Sequence, residues 1–232
     1  MQIYDAANLN IGLPRVVTPY VETIWPGQWP PVGENRAKCP PDDLIRKAVD
    51  EMGEAAYIFL DDAHRMPIEE QAKWCDRFKT ISGTKVGIYQ GMGGGNVRNV
   101  FYLNHWVTGS VQYQEDFAAK RVLGKTMLRH VDALMPCVYQ DGSAGQYTSI
   151  TDPVQAWQFL YEHTMHIAYR FNVLDRVLPF AWIPPGVFDT ETEKRAIDTM
   201  LTVFERYDQD FIVWGRPEHP LSKAIVAKVG SK

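Results

Sequence analysis

Two adjacent carboxylates, Asp61 and Asp62, directly follow a run of apolar and aromatic residues. That run, residues 55–60, reads AAYIFL and is typical of a buried strand. Successive side chains of a strand point to opposite faces, so only one of the two aspartates can enter a site at the strand end. Partial burial there would raise its pKa and suit it to act as a general acid. The alternative is that the pair caps the helix expected to begin near Pro67.

Further polar and aromatic side chains stand where other apolar segments end. Indole and phenol rings can stack on the apolar faces of sugar rings, while carboxylates and amides bind hydroxyl groups. The pattern therefore indicates a carbohydrate site, whose predicted binding residues are Glu22, Trp25, Tyr89, Gln90, Tyr139, Asp141, Trp182 and Trp214. The alternative for the aromatic residues is that they are core side chains beside turns.

These residues would be positioned by strands that alternate with helices along the chain. Apolar, mostly unalternating segments predict six strands within residues 15–25, 55–60, 85–90, 131–139, 176–183 and 210–215. Residues 1–5 and 100–106 are candidates for one or two more. Helical periodicity is found in residues 40–53, 67–83, 114–130, 152–172, 191–207 and 219–230. Asp42 or Asp43 is expected to cap the first of these helices, and Asp152 the fourth.

The alternation predicts an α/β fold, a (β/α)8 TIM-type barrel that is small or has missing or irregular strands. No linker-like stretch divides the chain, so residues 1–232 are expected to form one barrel domain. In such barrels the active site lies at the carboxyl ends of the strands. An open doubly wound sheet is the alternative, but the glycine-rich residues 91–96, GMGGGN, match neither common nucleotide-binding pattern.

The net charge and the amino-acid composition argue against several classes of binding partner. A net charge of -4 and the absence of a basic cluster argue against nucleic acid. No apolar run approaches the roughly 20 residues of a membrane span, so we expect a soluble chain without a membrane partner. The three cysteines are far apart and no Cys/His cluster occurs, so neither a metal nor a cofactor is expected. The first residues lack the pattern of a signal peptide, yet secreted and cytoplasmic locations both stay open, as does the oligomeric state.

Four segments together resemble a known family. Residues 133–141, ALMPCVYQD, are similar to a strand that ends in Pro-x-Val-Tyr, and residues 177–185, VLPFAWIPP, to the strand after the next helix. Residues 210–215, DFIVWG, match a final strand ending in Trp-Gly, and residues 57–64, YIFLDDAH, fall where the family has its catalytic strand. From about residue 131 onward the chain resembles the bee-venom and mammalian hyaluronidase family of glycoside hydrolases.

The resemblance implies a barrel that acts on a polysaccharide containing N-acetylhexosamine. In that family an Asp-x-Glu pair works with the acetamido group of the substrate, and Tyr139 and Trp214 would carry over as pocket residues. This sequence departs from the pair, because Ala63 stands two residues after Asp61 and His64 two residues after Asp62. Either Asp62 or Asp61 substitutes as the acid, or the site has lost hydrolysis.

Three functions therefore stay open. The first is a glycoside hydrolase that uses Asp61 and Asp62, with Glu22 or Asp141 as a second carboxylate. The second is a non-catalytic carbohydrate-binding or structural barrel module. The third is an enzyme of another class, because a barrel does not by itself imply a reaction.

Overall fold

A computed structural model describes residues 1–19, 24, 38–60, 68–88, 129–135, 140, 142, 144, 150–170, 172 and 174–230, without the side chains of residues 163, 164, 167 and 170. Within these residues the chain is a mixed α/β fold with parallel sheets. The strands are β1 (Ile3–Asp5), β2 (Val16–Val17), β3 (Tyr57–Leu60), β4 (Lys85–Ile88), β5 (Ala133–Leu134), β6 (Phe180–Ala181) and β7 (Phe211–Val213). The helices are α1 (Asp42–Met52), α2 (Ile68–Ser82), α3 (Pro153–Arg170), α4 (Thr190–Arg206) and α5 (Pro220–Gly230).

The seven described strands form two parallel sheets that are joined on both sides. One sheet has the order β1-β7-β6 and the other the order β2-β3-β4-β5. Single parallel bridges connect Asp5 with Arg15 and Leu134 with Val177. Each strand therefore lies beside its successor in the chain, and β7 lies beside β1. This arrangement is a ring whose seven neighbouring pairs are all joined, so an eighth strand is not needed to close it.

Two apolar cores lie on the two sides of the strands. The larger core packs the strands against the helices and contains buried aromatic residues such as Trp74, Trp157 and Phe204. The smaller core contains alternate strand residues: Val16, Phe59, Ala133, Met135, Leu178, Phe180 and Ile212. Phe59 of one sheet meets Phe180 of the other there, with ring centroids 4.4 Å apart. We call this second group the inner core, because both sheets contribute to it.

Several predictions about elements are confirmed. Residues 1–5 contain a strand, and Asp152 caps α3 by accepting the backbone N–H groups of Val154 and Gln155 at 2.9 and 3.0 Å. The predicted cap of α1 is wrong. Pro41 occupies the N-cap without a side-chain hydrogen bond, and both candidate aspartates lie inside the first turn, where acidic side chains still favour the helix end. An eight-stranded (β/α)8 barrel is not shown by the described residues, and residues 100–106 lie outside them.

Candidate functional site

A cavity of about 720 Å³ opens at the carboxyl ends of β6 and β7. It is lined by Trp182, Pro185, Trp214, Gly215, Arg216, Glu218, His219 and Pro220. The strands are parallel, so the residues that follow them emerge at the same edge of the sheet. That edge is where barrel enzymes and other parallel-sheet proteins bind their ligands.

Trp182 and Trp214 are brought together by the strand register. Phe180 pairs with Ile212 and Ala181 with Val213, and the Trp214 N–H then donates to the Ala181 carbonyl at 3.0 Å. The next residues along are the two tryptophans. Because side chains alternate along a strand, both share the face of Phe180 and Ile212, and both pack half-buried against the inner core. Two indoles from neighbouring strands thus form one wall of the cavity.

Gly215 allows this wall to form. Its φ of +126° is a conformation that residues with side chains rarely adopt. A Cβ atom at this position would stand 3.3 Å from Cδ1 and 3.4 Å from Nε1 of Trp182. The backbone after β7 therefore lies directly against the edge of the Trp182 indole. Phe180 supports the second indole from below, with its ring edge-on to Trp214 at 5.8 Å between centroids.

Charged side chains lie on the loop between β7 and α5. Arg216 and Glu218 are exposed and line the cavity. Neither makes an ion pair or a side-chain hydrogen bond with another residue in the part of the chain that the structure describes. A guanidinium group and a carboxylate are thus both open to a ligand, as a donor and an acceptor of hydrogen bonds.

His219 is a cavity residue that our sequence analysis did not identify. It is only 7% exposed, and its Nδ1 accepts the backbone N–H of Leu221 at 3.2 Å, which caps α5. Its Nε2 stands 4.0 Å from Oε1 of Glu193 on α4. Burial lowers the pKa of His219, while Glu193 and the carbonyl of Ile183 oppose that shift. Nε2 is buried and makes no hydrogen bond with a described residue, so it is closed off from solvent, while Nδ1 is bound within the chain. His219 therefore holds the loop rather than the ligand. The only sequence signal was a histidine directly before the proline that begins a helix.

Gln140 stabilises the segment that carries Trp182. Its backbone N–H donates to the Trp182 carbonyl at 3.0 Å, and its Nε2 donates to the Ala196 carbonyl of α4 at 2.9 Å. The side chain is 1% exposed. Gln140 therefore fixes the end of β6 against a helix.

Only part of the predicted site can be placed. Trp182 and Trp214 line one cavity, and their role in binding a sugar stays a prediction. The remaining predicted site residues lie outside the described residues: Asp61, Asp62, Glu22, Trp25, Tyr89, Gln90, Tyr139 and Asp141. Among described residues no group of three or more His, Cys, Asp or Glu side chains could hold a metal ion. None of the described helices combines the length and the apolar character needed to cross a bilayer.

Comparisons with known proteins leave the family open. No protein-family model matches the chain, and no curated protein matches its sequence. Among solved structures, the chain is similar to the PgaB (BpsB) glycoside hydrolase domain from Bordetella bronchiseptica, at 10% sequence identity and a TM-score of 0.33. The alignment covers 91% of this chain and 97% of that domain. A likeness of this size is too low to carry a conclusion about activity, and the hyaluronidase resemblance stays a prediction.

Proposed function

We propose that this chain is a carbohydrate-binding domain of the glycoside hydrolase kind that holds a polysaccharide or oligosaccharide in the cavity beside Trp182 and Trp214. One observation carries the proposal: the register of β6 and β7 sets two indoles side by side on one wall of a 720 Å³ cavity that also offers Arg216 and Glu218. Flat aromatic faces bind the C–H faces of a sugar, and the two charged groups bind its hydroxyl groups.

Binding to a panel of immobilised polysaccharides tests this proposal. Trp182→Ala and Trp214→Ala should each weaken binding by about tenfold or more, because each removes a stacking surface. Tyr169→Ala is the matched control, since Tyr169 is an aromatic residue with 71% exposure that lines a different groove. Loss of binding in the control alone, or retention in both tryptophan variants, would remove the assignment.

Hydrolysis by Asp61 and Asp62 is the finer proposal. Phe59 belongs to the inner core, while Ile58 and Leu60 belong to the larger core. If the alternation of β3 continues for one residue, Asp61 takes the face of Phe59, which is also the face of Trp182 and Trp214. We therefore propose Asp61 as the general acid and Asp62 as its helper. We propose Tyr89 for the same site, because a side chain on Gly87, two residues earlier, would face Met135 of the inner core.

Release of reducing ends from the glycans that bind is the measurement for hydrolysis. Asp61→Asn should abolish turnover, and Asp62→Asn should lower it less. The anomeric form of the first product identifies the route: retention needs a second carboxylate about 5 Å from the acid, and inversion a gap of about 6.5–9.5 Å. Glu22 and Asp141 are the candidates for that carboxylate. Unchanged turnover in both asparagine variants would leave a site that binds glycans without these acids.

The non-catalytic module remains the second candidate, and the absence of an Asp-x-Glu pair after β3 favours it. Its signature is glycan affinity that depends on both tryptophans, together with no product from any glycan that binds. The fold that we propose for either function is a small TIM-type barrel in which one of the usual eight strands is missing. The ring of seven strands supports this proposal.

A further inference from the structure

We infer that the cavity beside Trp182 and Trp214 selects uncharged sugar units over units that carry a carboxylate or sulfate group. This inference rests on the proposed function and names the substrate class of the same site. The reason is that the charged groups around the cavity leave no excess of positive charge.

The two charged residues that line the cavity offset each other. Arg216 and Glu218 are two positions apart on the same loop and both are exposed. Their opposite charges leave no excess positive charge on this loop to attract an anion. Recognition of sugar carboxylates in proteins usually relies on such an excess, most often from arginine.

Two further groups next to the cavity, the His219 ring and the amino end of α5, have part of their hydrogen-bonding capacity taken up within the chain. His219 accepts a hydrogen bond at Nδ1 from Leu221, so its ring is neutral in this arrangement. The amino end of α5 carries a partial positive charge, but Pro220 has no N–H group and that of Leu221 is bound to His219. Behind His219, Glu193 adds a second carboxylate 4.0 Å from Nε2. Among the described residues, the charged side chains that line the cavity or are paired with His219 are thus two carboxylates, Glu218 and Glu193, and one cation, Arg216.

The anionic group of a charged sugar would therefore lose bound water beside the two indoles, and no excess positive charge would compensate for that loss. The net charge of -4 on the chain adds a weaker, longer-range repulsion. A neutral sugar suffers neither penalty and can use both Arg216 and Glu218 through its hydroxyl groups. The cavity is suited to a neutral glycan.

Matched neutral and anionic hexamers test the inference. The probes are cellohexaose against its C6-oxidised form, and a hexamer of N-acetylglucosamine against a hyaluronan hexamer. We expect a neutral hexamer to bind the wild-type chain at least tenfold more tightly than its anionic counterpart in 50 mM salt. Raising the salt to 500 mM should narrow that ratio, because screening weakens the repulsion.

Two variants test whether Arg216 and Glu218 determine the ratio of the affinities for neutral and anionic hexamers. Glu218→Gln should narrow the neutral-to-anionic ratio and Arg216→Gln should widen it, with thermal melting used to show that both variants fold. The inference is overturned if an anionic hexamer binds as tightly as its neutral counterpart, or if neither variant moves the ratio. Binding of anionic hexamers alone overturns this inference but leaves the glycan site intact. Failure of every hexamer to bind removes the proposed function together with the inference.

Discussion

Among single residues, Gly215 shapes the cavity by having no side chain. Gly215→Ala forces a Cβ atom against the Trp182 indole in addition to an unfavourable φ. We expect it to weaken glycan binding severalfold and to lower the free energy of unfolding by about 1–2 kcal/mol. Titration with the glycan that binds wild type best, together with urea unfolding, measures both effects.

Gly186→Ala is the control for that variant. Gly186 has a φ of +75° and no atom within 4 Å of an added Cβ, so it carries backbone strain without the contact to Trp182. Its alanine variant should lose stability but keep its affinity. Equal losses of affinity in the two variants would show that the Gly215–Trp182 contact does not matter.

His219 predicts a pH dependence of stability. Its pKa is lowered in the folded chain, mainly by burial. Below its usual pKa of about 6.5 the unfolded chain therefore takes up a proton that the folded chain does not. The contribution of neutral His219 to the free energy of unfolding should therefore be fully present above about pH 6.5. On acidification this contribution should fall by at most about 1.4 kcal/mol per pH unit, until the pH passes the pKa of His219 in the folded chain.

His219→Asn provides the comparison, because asparagine can still accept the Leu221 N–H but does not titrate. Urea unfolding at pH 7.5 and 5.5 should show a smaller loss of stability in this variant than in wild type. An identical loss in both proteins would assign the acid sensitivity to other groups.

Among the secondary-structure elements, β4 contains a glycine, Gly87, whose side-chain space is filled by Met135 directly after β5. A Cβ atom on Gly87 would lie 2.2 Å from Cε and 2.5 Å from Sδ of Met135, a fully buried inner-core residue. Gly87→Ala should lower the free energy of unfolding by about 1–3 kcal/mol through overpacking. In the background of Met135→Ala, which removes those atoms, the same substitution should cost much less. A simple sum of the two single effects in the double variant would contradict this account.

The elements also show how far sequence alone reaches. Helices α1 to α5 follow from apolar periodicity, and β3 and β4 from compact apolar runs. The position of each tryptophan at the end of a strand was predictable, because each follows an apolar run and precedes proline or glycine residues. The register that sets Trp182 beside Trp214 depends on contacts between distant segments, as does the Gly87–Met135 contact. The role of His219 was hidden because it arises from the meeting of α4 and α5, which no local pattern encodes.

For the chain as a whole, the question is whether the two sheets fold as one unit. In the described part of the chain, two single parallel bridges join them, so the side chains of the inner core must supply much of the connection. Phe59 and Phe180 make this connection directly, with their rings tilted by 42°. If the ring is one cooperative unit, the two residues should be energetically coupled although they belong to different sheets.

A double-mutant cycle of Phe59→Leu and Phe180→Leu measures that coupling. We expect an interaction free energy of about 0.5–1.5 kcal/mol, because aromatic pairs in contact contribute this much beyond burial. The cycle of Phe59→Leu with Phe204→Leu is the control, since Phe204 packs in the larger core against Phe211. That control pair should be additive to within about 0.5 kcal/mol.

Additivity in both cycles, with separate unfolding transitions by tryptophan fluorescence and circular dichroism, would mean that the sheets are independent. Coupling in the first cycle alone would mean that β6, which precedes Trp182, and β3, which precedes Asp61 and Asp62, fold as parts of one unit, as a shared site requires.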